Sequence, residues 1–198
     1  MIYTTDMLVN KFNAYTNPKA KIKRMCNNGE LINVCHGLYE DDKNADSFLL
    51  HSYIYGPSYI SFDYVLSMYS IIPEFGLNVT CATFGKEKNK LYNTPFGVIL
   101  YRDVPKKVFP YGTQNISCNG YNYILASPEK ALCDFLYSKS YQAVSLDDFV
   151  TYMFDDLRID EVEFLKLDFT FIKEIAPLYK KSNLNYLVEY ILKEELVC

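Results

Sequence analysis

Tryptophan is absent from this chain, histidine occurs only as His36 and His51, and no two cysteines stand at C-x-x-C spacing. Each gap closes a class of function. A structural zinc site needs paired Cys or His at short fixed intervals, and the nearest grouping, Cys26, Cys35 and His36, does not have them. A serine or cysteine triad needs a histidine base, whereas His36 falls in an expected hairpin turn and His51 follows the apolar run Phe48-Leu49-Leu50, where it reads as a packed residue. The eight glycines are scattered, with Gly85 and Gly97 isolated, and build no phosphate-cradling loop. No stretch approaches the roughly 18 apolar residues of a membrane span, and Met1 to Ile22 has no signal-peptide pattern. The expectation is a soluble cytoplasmic protein with no metal, no cofactor, no catalytic residues and no membrane partner.

What is present supports a folded body. At 198 residues and 49% hydrophobic, the chain can bury a sizeable core, as one medium domain with an appendage or as two small domains. The six cysteines (Cys26, Cys35, Cys81, Cys118, Cys133 and Cys198) are widely spread and lie mostly inside apolar periodic segments, so they are expected to be reduced, buried thiols. The abundance of tyrosine and phenylalanine reads as a compositional habit, and no site is drawn from it.

The net charge of −4 conceals an asymmetry. From Lys11 to Arg24 the charged residues are Lys11, Lys19, Lys21, Lys23 and Arg24, with no acid before Glu30. From Tyr141 onward twelve acids face six bases. A chain basic at one end and acidic at the other suggests a polyanion-binding head on a body that avoids polyanions.

In that head, Thr4 or Thr5 caps a first helix carrying Met7, Leu8, Phe12 and Tyr15. After a tight turn, Asn17 caps a second helix with Pro18 at its first position and Gly29 at its stop. On this second helix Pro18, Ile22, Met25 and Cys26 share one face, while Ala20, Lys23, Arg24 and Asn27 share the other. Such an exposed face suits the major groove: Lys and Arg reach phosphate or guanine, Asn pairs with adenine, and Ala permits close approach. Leu31 to Val34 and Leu38-Tyr39 then read as two strands joined at Cys35-His36-Gly37. Helix, helix, hairpin is the order of a winged helix-turn-helix.

Asp41 to Asp46 (DDKNAD) reads as the linker, dividing a head at 1–42 from a body at 43–198 that becomes helical from about 127. In the body, Ser61 caps a helix in "FDYVLSMYSII" closed by Pro73, and strands are expected at 78–84, 96–104 and 122–126, with a lysine-rich turn at Lys86, Lys88 and Lys90. Ser127, Pro128 and Glu129 specify another helix start, and about three more helices follow Leu146. The expected fold class is α+β.

The blocks "GELINVCHGLYE", "SYISFDYVLSMYSIIPE", "VTCATFG", "TPFGVILYR" and "ASPEKALCDFLY", in that order, resemble the abortive-infection antitoxins of the AbiEi type, over about Thr4 to Tyr137. The resemblance implies a winged helix on an α+β antitoxin domain, repression of its own operon through inverted repeats in operator DNA, and antagonism of a co-encoded nucleotidyltransferase-like toxin without a necessary stable complex. It places Lys19, Lys21, Lys23, Arg24 and Asn27 on the DNA-reading helix and Asn33 and His36 on the wing.

Two alternatives stay open. One is an antitoxin directed at a protein or substrate, with a vestigial head and the acidic C-terminal part as its working surface. The other is a metal-dependent nuclease built from Asp41-Asp42-Lys43, Asp63, Asp103, Glu129 and Lys130. Against the nuclease, short acid-x-Lys matches arise by chance, Glu129 suits a helix N-terminus, and Asp134 is expected to be exposed on the same helix.

Overall fold

The computed structural model describes residues 1–73, 78–118 and 120–197. It opens with strand β1 (Ile2–Thr4), helices α1 (Thr5–Lys11) and α2 (Pro18–Asn27), and the hairpin β2 (Ile32–Cys35) and β3 (Leu38–Glu40). The three strands form an antiparallel sheet in the order β1-β3-β2. Local chemistry sets the helix ends. The Thr4 hydroxyl accepts the Met7 amide, and the Asn17 side chain accepts the Ala20 amide at 3.0 Å. Pro18 occupies the first turn of α2, where its missing N–H costs nothing. Gly29 takes a φ of +70°, and the Gly29 and Glu30 amides return to the carbonyls of Cys26 and Met25. Helix α1 is shorter than its apolar spacing suggests, stopping at Lys11 and leaving Tyr15 exposed in the connection.

Leu8, Ile22 and Leu31 form a small core between these helices and the hairpin. The other side of the sheet is not free. Ile2, Val34 and Leu38 bury against Leu49 and Leu50 of helix α3 (Ser47–Ile54) and against Tyr121. The polar segment 41–46 is thus a short connection between parts that share a buried cluster, and Glu40 at its start is fully buried, its carboxylate accepting the amides of Asp41 and Asp42 at 3.0 Å.

The body is mixed α+β. Strands β4 (Tyr59–Ile60), β5 (Val79–Thr83), β6 (Lys90–Thr94), β7 (Gly97–Asp103), β8 (Thr113–Cys118) and β9 (Tyr121–Ala126) form one sheet in the order β6-β7-β5-β4-β9-β8. The pairs β5/β7 and β4/β9 are parallel. Every residue of β5 is buried, the mark of a strand covered on both faces. Alternation assigns those faces: the Tyr101 hydroxyl donates to the His51 carbonyl of α3, while Tyr59, in line with Ala82 and Arg102, points to the opposite face and donates to Asp134 of helix α5 (Pro128–Ser138).

Helix α4 (Phe62–Met68) follows β4, and the remainder is helical: α6 (Leu146–Thr151) running into a π turn, α7 (Glu161–Phe164), α8 (Phe169–Ile175) running into a 3₁₀ turn at Ala176–Tyr179, and α9 (Ser182–Val197). No described helix is long and apolar enough to cross a membrane. Cys81 and Cys133 are buried and Cys26, Cys35 and Cys118 half-buried, all as free thiols; Cys198 and Glu74, the last residue of one quoted block, lie outside the described residues.

Candidate nucleic-acid interface

Helix α2 and the β2–β3 hairpin enclose an open groove of about 440 Å³. Its walls are Lys19, Ile22, Lys23 and Cys26 from the helix and Asn33, His36 and Tyr39 from the hairpin, with Thr5 and Gly37 closing one end. The helical wall follows from the 3.6-residue period, which puts positions 19, 22, 23 and 26 on one stripe. Ile22 is buried at the groove floor, while Lys19 and Lys23 stand exposed above it.

The seven residues expected on the interface separate into two sets. Lys19, Lys23, Asn33 and His36 share the groove. Lys21, Arg24 and Asn27 do not line it, although Arg24 and Asn27 are exposed on α2. Lys21 turns back toward the connection after α1, its ammonium 5.5 Å from the centre of the Tyr15 ring. Lys11 similarly lies 4.7 Å from the Tyr3 ring.

No acid occupies the first turn of α2. Lys19 and Lys23 line the groove and none of its lining residues is acidic, an arrangement that favours an anion. Burial pushes the Cys26 thiol up, so it enters the groove as a neutral group and not as a thiolate. The hairpin is pinned where it meets α1: the Thr5 amide donates to the Gly37 carbonyl at 2.9 Å.

A second polar constellation escaped sequence reading. Asp134 is fully buried, not exposed as its place on an apparently amphipathic helix suggested. Its carboxylate accepts from the Lys130 ammonium at 3.0 Å, Tyr59 at 2.9 Å, Ser61 at 2.7 Å and Tyr179 at 2.6 Å. Lys130 also donates to the Tyr179 hydroxyl at 2.6 Å. Burial, with the Asp134 carboxylate alongside, holds both phenols well above the ordinary tyrosine range and keeps them as donors. Ser61 stands at the N-cap position of α4 but spends its hydroxyl on Asp134 instead of the helix. The one advance signal was the i,i+4 spacing of Lys130 and Asp134 within an apolar helix.

The scattered carboxylates have separate structural partners. Asp103 accepts the Thr83 hydroxyl at 2.6 Å and the Glu87 amide at 2.6 Å, Glu129 accepts the Asp168 amide at 3.2 Å, and Asp63 faces Arg102 at 3.6 Å. Among the described residues no three His, Cys, Asp or Glu side chains converge as a metal site. His51 is buried, with Nδ1 2.8 Å from the Ser58 hydroxyl, as its apolar neighbours in the sequence led one to expect. No protein-family model matches the chain, and no curated protein matches it.

Proposed function

We propose that this chain is a DNA-binding antitoxin of the abortive-infection type that represses its own operon. The observation that carries this reading is the groove uniting Lys19 and Lys23 of α2 with Asn33 and His36 of the hairpin. In this reading the two helices and the three-stranded sheet are a winged helix-turn-helix head, α2 enters the major groove of an inverted repeat, and the β2–β3 wing lies along the adjacent backbone. Lys19 and Lys23 contact phosphate, Arg24 and Asn27 face base edges, and Ala20 allows close approach. The wing contributes no lysine or arginine between Ile32 and Glu40, so phosphate contact rests on the helix.

The chain acts by binding and not by catalysis, and its functional partner is a co-encoded nucleotidyltransferase-like toxin. The order of the five sequence blocks supports this part. Two or three phosphate contacts per protomer give a log–log salt slope of roughly −2 to −3. The test is binding of the purified chain to DNA from upstream of its own gene, against scrambled DNA, across a salt series. Equal affinity for the two sequences removes the operator-binding reading.

A second reading concerns the body. The acidic stretch from Tyr141 onward includes helix α7, where Val162, and Leu165 just after the helix, are exposed beside Glu161 and Glu163, a surface suited to a protein partner. Head and body share a buried cluster, so deleting the head would strip Leu49, Leu50 and Tyr121 of cover. Point substitution separates the activities more cleanly. If a Lys19→Ala, Lys23→Ala chain loses DNA binding and still protects cells from the toxin, protection belongs to the body; loss of both assigns it to repression.

A further inference from the structure

The two sheets end on the edge strands β1, β2, β6 and β8. An edge strand offers unpaired N–H and C=O groups to any extended chain, and folded proteins blunt such edges by shortness, bulges or charge. Strand β1 has only three residues, β2 carries a register shift between Asn33 and Cys35, and β6 contains Lys90 and follows Lys86 and Lys88. Strand β8 (TQNISC) has none of these devices. Its six residues pair with β9 in unbroken register from Thr113–Ala126 to Cys118–Tyr121, and no charged residue stands between Lys107 and Glu129.

The start of β8 fixes which of its backbone groups face outward. The Ser127 amide donates to the Gly112 carbonyl at 2.8 Å, so Gly112 and Ser127, one step before Thr113 and Ala126, form a hydrogen-bonded pair. Such pairs alternate with non-hydrogen-bonded ones along an antiparallel ladder. Gln114, Ile116 and Cys118 therefore turn their backbone groups toward β9, and Thr113, Asn115 and Ser117 turn theirs away from it. No described residue bonds these outward amides and carbonyls. Gln114 and Asn115 point to opposite faces of the sheet and both are exposed, so the middle of the strand is open on either side.

We infer that β8 is an interface whose occupant is β8 of a second copy of this chain. Two copies related by a twofold axis normal to the sheet keep their faces aligned, so outward positions meet outward positions. With the axis at Asn115, that residue opposes its own counterpart and Thr113 opposes Ser117, which uses every outward position of the strand. Each opposed pair exchanges two main-chain hydrogen bonds. A charge near the axis would be set against its like. The uncharged run from Val108 to Pro128 removes that penalty, and it singles out a second copy over a charged partner. Ile124, which stands beside Asn115 on β9 and is exposed, adds an apolar flank on the same face. The pairing joins two six-stranded sheets into one. It uses none of the residues that line the α2 groove, so it stands or falls independently of operator binding.

The test is sedimentation equilibrium of the full chain over a concentration series, beside Asn115→Pro, Asn115→Lys and Asn89→Lys. Proline removes an outward N–H and spares the ladder with β9. Lysine at 115 sets two ammonium groups against each other at the axis, whereas Asn89→Lys adds the same charge at an exposed position before β6. Wild type and Asn89→Lys are expected to dimerise alike, and both Asn115 variants to dissociate at concentrations at least about tenfold higher. Because Asn115 is exposed, Asn115→Lys, with its fold checked by circular dichroism, carries the reading if the proline variant does not fold. Hydrogen exchange followed by NMR locates the contact: the Thr113, Asn115 and Ser117 amides should slow as the dimer forms. Wild type that stays monomeric up to about 1 mM, a dimer indifferent to Asn115→Lys, or outward amides that exchange equally fast in monomer and dimer overturns the pairing. Protection of those amides in a monomeric wild type by an unrelated threonine–valine peptide would assign the edge to a foreign strand and overturn the second copy as its occupant.

Discussion

The Thr5 amide donates to the Gly37 carbonyl across 2.9 Å, joining the first residue of α1 to the turn of the hairpin thirty-two positions later. That contact fixes the tip of the β2–β3 hairpin relative to the helices, and Gly37 meets it with a φ of +77°.

Thr5→Pro tests it with little harm to the helix. Proline is tolerated at a first helical position, and Thr4 before it is already extended, at φ −83° and ψ 164°. The substitution removes both the amide bond and the longer contact from the Thr5 hydroxyl at 3.4 Å, at an expected cost of about 1–2 kcal/mol, read as a lower urea midpoint, together with weaker DNA binding. Unchanged values in both measurements would show that the contact does not position the hairpin.

Around Asp134 the expected effects are larger. Removing the carboxylate in Asp134→Ala leaves the Lys130 ammonium buried without its ion-pair partner, at a cost of about 3–5 kcal/mol in chemical denaturation. Lys130→Met should cost less, because the remaining carboxylate keeps its three hydroxyl donors, Tyr59, Ser61 and Tyr179. The reverse ranking would mean that the lysine, not the carboxylate, organises the network.

Gly112 covers this network from outside, with a φ of +64°. A Cβ there would lie 2.9 Å from the Lys130 Cβ and 2.7 Å from the Phe171 ring. Gly112→Ala is therefore expected to destabilise by about 2 kcal/mol or more through left-handed strain and overpacking together. A thermal midpoint equal to wild type would contradict this packing.

Stability should also depend on His51. Burial lowers its pKa from 6.5 to about 4, so between those values the unfolded chain binds a proton that the folded chain refuses. Stability is full above about pH 6.5 and is lost as pH falls toward 4, by about 3 kcal/mol for this one group. Urea unfolding at successive pH values should show the slope in wild type and a shallower one in His51→Gln. Parallel slopes would show that His51 is not the group responsible.

Legibility in the sequence followed the locality of the forces. Helix α2 is specified by Asn17, Pro18 and Gly29, each acting on its own neighbours, and α5 by Ser127 and Pro128; both were readable. Strand β1 is only Ile2–Thr4 and owes its state to pairing with β3. Polar edge strands β6 (KLYNT) and β8 (TQNISC) have no apolar alternation and were missed for the same reason: their partners, β7 and β9, make them strands. Asp134 was misread because α5 is buried continuously from Lys130 to Leu136, so a charged residue no longer marks a solvent face once another charge pairs with it. Read from the sequence alone, Lys23 of α2 lies opposite Ile22 and Cys26, whereas the groove brings Lys19, Ile22, Lys23 and Cys26 onto one wall. Only tertiary structure distinguished Lys19 and Lys23, beside the hairpin, from Lys21, which folds onto Tyr15.

The most direct test of DNA binding through the α2 groove is fluorescence anisotropy with DNA from upstream of the gene, comparing wild type with Lys23→Ala across a salt series. Preferential binding with a slope of roughly −2 to −3, reduced in magnitude by about one in the variant, is the expected result. Binding with the same affinity and slope in both proteins, or none at low salt, would contradict it.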